Sequence, residues 1–424
     1  VPPLALADRV LDTPVGPARL LLLRTDVADV VSVRGSLRTA PDLSGRDDLV
    51  QSVLADTLDK GTRARGRFEI AEDLEGRGAR LSFYSDGLRV GFSGRALRDD
   101  VADVLALAAE QLREPALDDA EVEKAVVQAV AGARRAREST AAQAAGALSR
   151  RLYGHDHPNH VREPDREIEA LEAVTPGAVR AYHAAHVGSD GLTLAVAGDV
   201  PAEAVERAVR ESFGGWGAHG RAAVYAEAAA PGPPGRTVVP LADRRNLDVR
   251  LGHAVRLRRD SPDYLAAYAG VFALGGNFSG RLMQTVRDEQ GLTYGVGAGL
   301  GTPSVDYDGH VAVSVTLSAE NLARGVAATR AEVERFVAEG VPAEALARTR
   351  TTLAGQHVVA LATTGGVAAR LLVNAERGFD VGYLDRYPDL VRALTDDDVA
   401  EALRRHLRPD AFHEAVAGTP PDGA

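Results

Sequence analysis

The stretch TPGAVRAYHAAHVGSDGLTLAVAG at residues 175–198 returns as TDDDVAEALRRHLRPDAFHEAVAG at residues 395–418. Thr175, Val179, His186, Asp190, Val196, Ala197 and Gly198 recur as Thr395, Val399, His406, Asp410, Val416, Ala417 and Gly418, each 220 positions on and without a gap. Each copy reads as a helix followed by a strand. A repeat at a fixed offset sets architecture before local detail does. Two similar halves of about 200 residues each follow, a usual domain size.

Between the copies lies Ala228-Ala229-Ala230-Pro231-Gly232-Pro233-Pro234-Gly235. Its prolines remove backbone donors and favour extended backbone, so 228–237 reads as a linker between a first domain, 1–227, and a second, 238–424. On both sides short alternating strands mix with amphipathic helices without a strict strand-helix-strand repeat, which points to α+β. Val30-Val31-Ser32-Val33-Arg34-Gly35 reads as a strand, and Leu49, Val50, Val53, Leu54 and Leu58 fall at helical spacing ahead of Lys60-Gly61-Thr62. Val311, Val313, Val315 and Leu317 keep the period of two of a half-buried strand, with helices following from about Asn321.

Composition narrows the chemistry. A net charge of -11 argues against a nucleic-acid surface, while permitting a basic peptide as substrate. Cysteine is absent, which removes disulfides, thiolate nucleophiles and Cys-bound zinc from consideration. No apolar run is long enough for a membrane span. The start, Val1-Pro2-Pro3-Leu4-Ala5, lacks the charged-then-apolar form of a secretory signal, so the cytoplasm is the expected location.

The most informative segment for function runs from Leu274-Gly275-Gly276-Asn277-Phe278-Ser279-Gly280-Arg281 through Arg287-Asp288-Glu289-Gln290-Gly291-Leu292-Thr293-Tyr294. Ser279 is placed to cap a helix, and Gly291 sits where a helix ends with a residue at positive φ. Arg287 then falls in the last helical turn and Tyr294 in a strand just beyond. Taken alone, the pair has a plain structural reading: Arg287 makes a charge contact at a helix C-terminus, and Tyr294 packs in a sheet.

This segment resembles the M16 family, that of pitrilysin and mitochondrial processing peptidase, whose second half carries a short helix, an Arg, a Gly-Leu turn and a Tyr seven residues after the Arg. The resemblance extends from about Val30 to Gly418. It takes in the duplicated halves, the Leu152-Tyr153-Gly154 turn ahead of His157-Pro158, the strand end Ala197-Gly198-Asp199 and the Gly-Gly loop before Arg281. It implies two homologous halves, each a mostly antiparallel sheet packed with helices, the LuxS/MPP-like metallohydrolase fold. It also implies that Arg287 and Tyr294 reach a peptide lying beside zinc held by another half or subunit. There the metal polarises the scissile carbonyl and a phenol donor stabilises the developing oxyanion. Gly275, Gly276 and Asn277 are implied as a substrate-binding loop.

An active member carries His-x-x-Glu-His, whose spacing sets two ligands and the general base on one helix face. The corresponding positions here are Ser52, Ala55 and Asp56, and no histidine precedes His155. The third ligand, a Glu expected near Val126-Val127-Gln128-Ala129, is also missing, since no carboxylate occurs from Lys124 to Arg137. The expectation is therefore no metal in this chain. His155, His157 and His160 read as a solvated turn beside Pro158, and His183 with His186 as structural, because neither group has a Glu placed as a base. No phosphate-binding loop, dinucleotide fingerprint or Gly-x-Ser-x-Gly elbow offers another chemistry.

The resemblance thus implies a non-catalytic M16B-type subunit that forms a heterodimer with a zinc-bearing catalytic subunit around an unfolded peptide. Zinc is expected in that partner and no independent activity in this chain. A purely structural or peptide-binding protein is the alternative from another class, and a peptide-capturing homodimer is a third.

Overall fold

The computed structural model describes residues 5–27 and 29–419. Val1-Pro2-Pro3-Leu4, on which much of the localisation reading leans, lies outside the described residues. The chain forms two compact units, each gathered from three segments. One comprises Val1–Ala131, Ile168–Tyr225 and His357–Tyr387; the other comprises Gly132–Glu167, Ala226–Gln356 and Pro388–Ala424.

The first unit is built on a six-stranded sheet of β1 (Val10–Val15), β2 (Ala18–Arg24), β3 (Val30–Arg38), β4 (Arg80–Ser85), β5 (Arg89–Leu97) and β6 (Thr193–Gly198), in the order β1-β2-β6-β3-β5-β4. Its one parallel pair is β2 with β6. The second unit has β7 (Arg236–Pro240), β8 (Asn246–Val255), β9 (Gly295–Gly301), β10 (Gly309–Ser318) and β11 (His413–Gly418), in the order β7-β11-β8-β10-β9. Here too a single pair, β7 with β11, is parallel. The second sheet therefore repeats the first, less β1. Two such sheets with helices packed on them make an α+β fold of two similar halves.

The repeat is visible element by element. Helix Pro176–His186 and β6 begin and end 220 residues ahead of helix Asp396–His406 and β11. Both helices start on a threonine whose hydroxyl accepts a backbone N–H, from Ala178 at Thr175 and from Asp398 at Thr395. The Asp398 carboxylate in turn accepts the Thr395 N–H, closing a capping box. Acidic residues 396–398 also face the positive end of the helix.

Each sheet is covered on one face by a helix from the other half of the sequence. In the first unit, helix Thr364–Glu376 lays Val367, Ala368, Leu371 and Leu372 on Leu21, Leu23, Ala195 and Ala197. In the second, helix Thr140–Leu152 lays Ala147, Leu148 and Leu152 on Ala415, with Ala254 and Ala312 beside them. Alanine on the strands permits close seating, and the helix supplies large side chains at spacings of three and four that share one face. The other face of the second sheet is lined by Val311, Val313, Val315 and Leu317, each at most 1% exposed.

The linker differs from a free tether in two ways. Arg236 already belongs to β7, because that strand pairs with β11 and the Gly235 carbonyl accepts the Glu414 N–H at 2.8 Å. The linker is also pinned to the second unit. Asp308 accepts the Ala229 N–H at 2.9 Å, the Arg151 carbonyl accepts that of Gly232 at 3.2 Å, and the Arg151 guanidinium donates to the Pro233 carbonyl at 2.7 Å. Among the described residues no single helix is long and apolar enough to cross a membrane.

Leu371, 2% exposed, lies in the seam between helix and first sheet. Leu371→Ala is expected to lower unfolding stability by about 2–5 kcal/mol, as buried Leu truncations do. Urea unfolding followed by circular dichroism measures it, and a loss under about 0.5 kcal/mol, the scale of surface substitutions, would show that the helix is not core.

Candidate functional site

Arg287 lies in the last turn of a wide, π-type helix, Met283–Glu289. The Thr285 hydroxyl donates to the Arg281 carbonyl at 2.9 Å, which takes up an acceptor of the tighter helical ladder. The Gln290 N–H reaches back five residues to the Thr285 carbonyl at 3.1 Å. Gly291 then turns the chain at φ +62°, a conformation that costs a side chain-bearing residue and costs glycine little. Ser279, expected as a cap, instead donates its hydroxyl to Asn277 Oδ1 at 3.0 Å.

The next three residues fix one another. Leu292 is buried, 4% exposed, and its N–H meets the Val286 carbonyl. Thr293 donates its hydroxyl to the Thr316 carbonyl of β10 at 2.5 Å and accepts the Gly295 N–H at 3.0 Å. Tyr294 is consequently presented outward at the bend just before β9, 96% exposed. The structural reading in which this tyrosine packs in a sheet does not hold.

Arg287 and Tyr294 line one open cleft of about 580 Å³, together with Thr316, Ser318 and Asn321. The Arg287 guanidinium is 3.9 Å from Asp288, and its carbon stands 5.8 Å from the centre of the Phe278 ring. That is within cation–π reach. The sequence reading misses Phe278, 80% exposed, although a large apolar residue flanked by Asn277 and Ser279 marks a surface position. Gly275, Gly276 and Asn277 stand at the end of helix Tyr264–Gly275 and do not line this cleft. A Cβ on Gly275 would come within 2.4 Å of the Ala298 backbone nitrogen, so glycine there lets the helix end meet β9 backbone to backbone.

In the first unit the positions of the lost zinc motif fall on helix Asp47–Ala55 and its C-cap. Ala55 is buried, whereas Ser52 and Asp56 are exposed. A hydroxyl, a methyl and one carboxylate do not make a zinc site with a general base. The helix is instead anchored by Gln51, fully buried. Its amide oxygen accepts from the hydroxyls of Thr39 and of Tyr182, the latter at 2.8 Å, and its nitrogen donates to Ser85 Oγ at 2.6 Å. Among the described residues no group of three or more His, Asp or Glu is arranged to hold a metal.

Residues 173–353 match the model of the peptidase M16 inactive domain. The match takes in a little under half of the chain. Its relatives include an uncharacterized zinc protease of Mycobacterium bovis, 24% identical over 366 residues that make up 85% of this chain and 82% of that one. A second, from Mycobacterium leprae, is 26% identical over 242 residues; they make up 56% of this chain and about half, 54%, of that protein. Among solved structures, the peptidase M16 inactive domain from Pseudomonas fluorescens superposes with a TM-score of 0.86 at 23% identity, covering 97% of this chain and 98% of that one. A protease from Helicobacter pylori gives 0.82 at 15% identity, with 96% and 98% covered.

The histidines are largely structural in their contacts. His183 lies 2.8 Å from the Leu112 carbonyl, and His186 lies 2.8 Å from that of Thr39. His155 is exposed as a turn residue, but His157 is buried, contrary to the solvated reading. Its ring stacks on Tyr153 at 4.3 Å and meets Asp308 at 3.3 Å. Sequence could not show this, because Asp308 is 151 residues away. His310 completes the cluster, 2.9 Å from the Tyr153 hydroxyl, and burial pushes its ring down to about 4.

Because the folded value lies below that of an unfolded histidine, near 6.5, the unfolded chain takes the proton first on acidification. The contribution of neutral His310 is complete above about pH 6.5 and is lost as pH falls toward 4, by about 3 kcal/mol in all. Urea midpoints at pH 7 and pH 4.5 are expected to fall more steeply in the native protein than in His310→Asn. Equal slopes would rule out His310 as a source of the acid sensitivity.

Proposed function

We propose that this chain is the zinc-less partner of a two-subunit M16 peptidase, lending Arg287 and Tyr294 to peptide binding and oxyanion stabilisation at the zinc site of a subunit that bears His-x-x-Glu-His. The observation that carries this reading is the presentation of Tyr294: 96% exposed, held directly after an anchored Leu292 and Thr293, and with no hydrogen-bond partner of its own among the described residues. Leaving a large aromatic side chain in water forgoes about 1.5–3 kcal/mol that burial would contribute. A surface completed by another molecule accounts for that.

The chemistry asked of this chain is modest. When water attacks a peptide carbonyl, negative charge grows on its oxygen, and the Tyr294 O–H donates a hydrogen bond to it in the transition state. Arg287, on the rim of the same cleft, offers a planar fork of donors to a substrate carbonyl or to the Tyr294 oxygen. The metal and the general base belong to the partner, in keeping with Ser52, Ala55 and Asp56 here. The zinc-protease names of the relatives support a peptidase setting for the assembly.

The test is reconstitution with a His-x-x-Glu-His M16 subunit from the same organism, with metal content measured on each chain separately. Activity is expected only, or chiefly, on mixing. Tyr294→Phe is expected to lower kcat of the complex by about 10²-fold with assembly unchanged, as loss of an oxyanion donor does. Full-speed turnover by the Tyr294→Phe complex would end the catalytic role, and inertness of the wild-type mixture would favour a structural role.

A further inference from the structure

Asp248 is a buried acidic residue that the chemistry proposed above does not use. It stands on β8, 9% exposed, and among the described residues it makes no ion pair. A carboxylate taken out of water costs free energy unless hydrogen bonds replace the water. Two threonines supply them: the Thr316 hydroxyl donates to Oδ1 at 2.7 Å and the Thr140 hydroxyl to Oδ2 at 2.6 Å. The donors belong to different elements. Thr316 is on β10, directly opposite Asp248, while Thr140 opens helix Thr140–Leu152. The dipole of that helix favours a negative charge at its start.

At the ends of the same two strands Asn246 is opposite Ser318, and both line the cleft that holds Arg287 and Tyr294. Side chains two residues apart share a face of the sheet, so Asp248 and Thr316 form the next rung behind that wall. From Asp248 the path to the tyrosine is short. The Thr316 carbonyl accepts the Thr293 hydroxyl at 2.5 Å, and Thr293 accepts the Gly295 N–H at 3.0 Å; Tyr294 lies between those two residues. With its side chain 96% exposed, Tyr294 has almost nothing around it to fix its place. That place is inherited from the backbone on either side, which hangs on Thr316. A hydroxyl that is to meet a developing oxyanion must be held to about 0.5 Å.

We propose that Asp248 is a positioning residue for Tyr294: by holding the Thr316 hydroxyl it fixes the strand segment from which Thr293, and so the tyrosine, is hung. It touches no substrate and lends no group to the chemistry. Its value to turnover rests on the peptidase-subunit reading; its hold on the turn does not. The plain alternative is that Asp248 only anchors the start of helix Thr140–Leu152. The two readings differ in which backbone loosens when the carboxylate is removed, the turn at 292–296 or the helix start at 139–143.

Amide hydrogen exchange, read by mass spectrometry on the full chain alone, separates them. Asp248→Ala and Thr316→Val are each expected to speed exchange at 292–296 about tenfold while helix Thr364–Glu376 keeps its protection. The double variant is expected to be no faster than either single one, because both remove the same bond. Thr140→Val, which removes only the helix-side bond, is expected to speed exchange at 139–143 and not at 292–296. In the mixture with a His-x-x-Glu-His subunit, Asp248→Ala is expected to lower kcat about tenfold with KM within about twofold. Asp248→Asn, which keeps an acceptor for Thr316, is expected to restore most of that loss. Unchanged exchange at 292–296 in Asp248→Ala, or exchange raised equally throughout both sheets, would overturn the proposal; so would full-speed turnover of that variant in an active mixture. An inert wild-type mixture ends the peptidase reading and leaves the exchange comparison to decide the role of Asp248.

Discussion

Close seating of a helix on a strand through residues with little or no side chain is the interaction on which this structure depends. Ala195 and Ala197 admit Leu371 and Leu372 to the first sheet. In the second sheet Ala415 and Ala312 admit Leu148; Gly252 does the same, since a Cβ there would stand 3.0 Å from Leu148 Cδ2. The interior gains large apolar contacts without widening the layer, as close-packed interiors require. In both sheets the helix that benefits is encoded in the other half of the chain, so neither half of the sequence contains a finished core.

The same constraint reaches the cleft. Gly275 and Gly297 bring a helix end against β9, with the Gly275 carbonyl 3.1 Å from where a Gly297 Cβ would be. Helix Tyr264–Gly275 thereby lies close beside the strand that Tyr294 precedes. Leu292 and Thr293 then hold the turn to the core and to β10. Outward display of the phenol is thus a result of what its neighbours bury, and the glycines flanking the segment serve that packing. Glycine in this region carries a structural demand that a substrate-loop reading would assign to chemistry.

Much of this was legible in the sequence, and what was not has physical reasons. Matching helix-strand units announce themselves at a fixed offset because each needs the same cap, Thr175 or Thr395, and the same small-residue strand. Gly291 was legible because few residues tolerate its φ, and the loss of the zinc motif because three specified residue types are absent at a specified spacing. Exchange of the covering helices was not, since the stripe Val367, Ala368, Leu371 and Leu372 states that a face is buried and not which sheet buries it. The burial of His157 and the anchoring of Gln51 by Thr39 and Tyr182 depend on partners distant in sequence. Ser279 could cap or turn to Asn277, and local pattern favours neither.

The distribution of the first unit over three segments has a consequence for how the protein is made. Its last segment, His357–Tyr387, follows the preceding one, ending at Tyr225, by roughly 130 residues. At ribosomal rates of about 5–20 residues per second, the strands of that unit await their covering helix for about 8–30 s after Tyr225 is made. During that interval the apolar face of Leu21, Leu23, Ala195 and Ala197 has no covering helix of its own chain to bury it. Slower elongation lengthens that exposure, a dependence that a tandem of self-contained domains would not have.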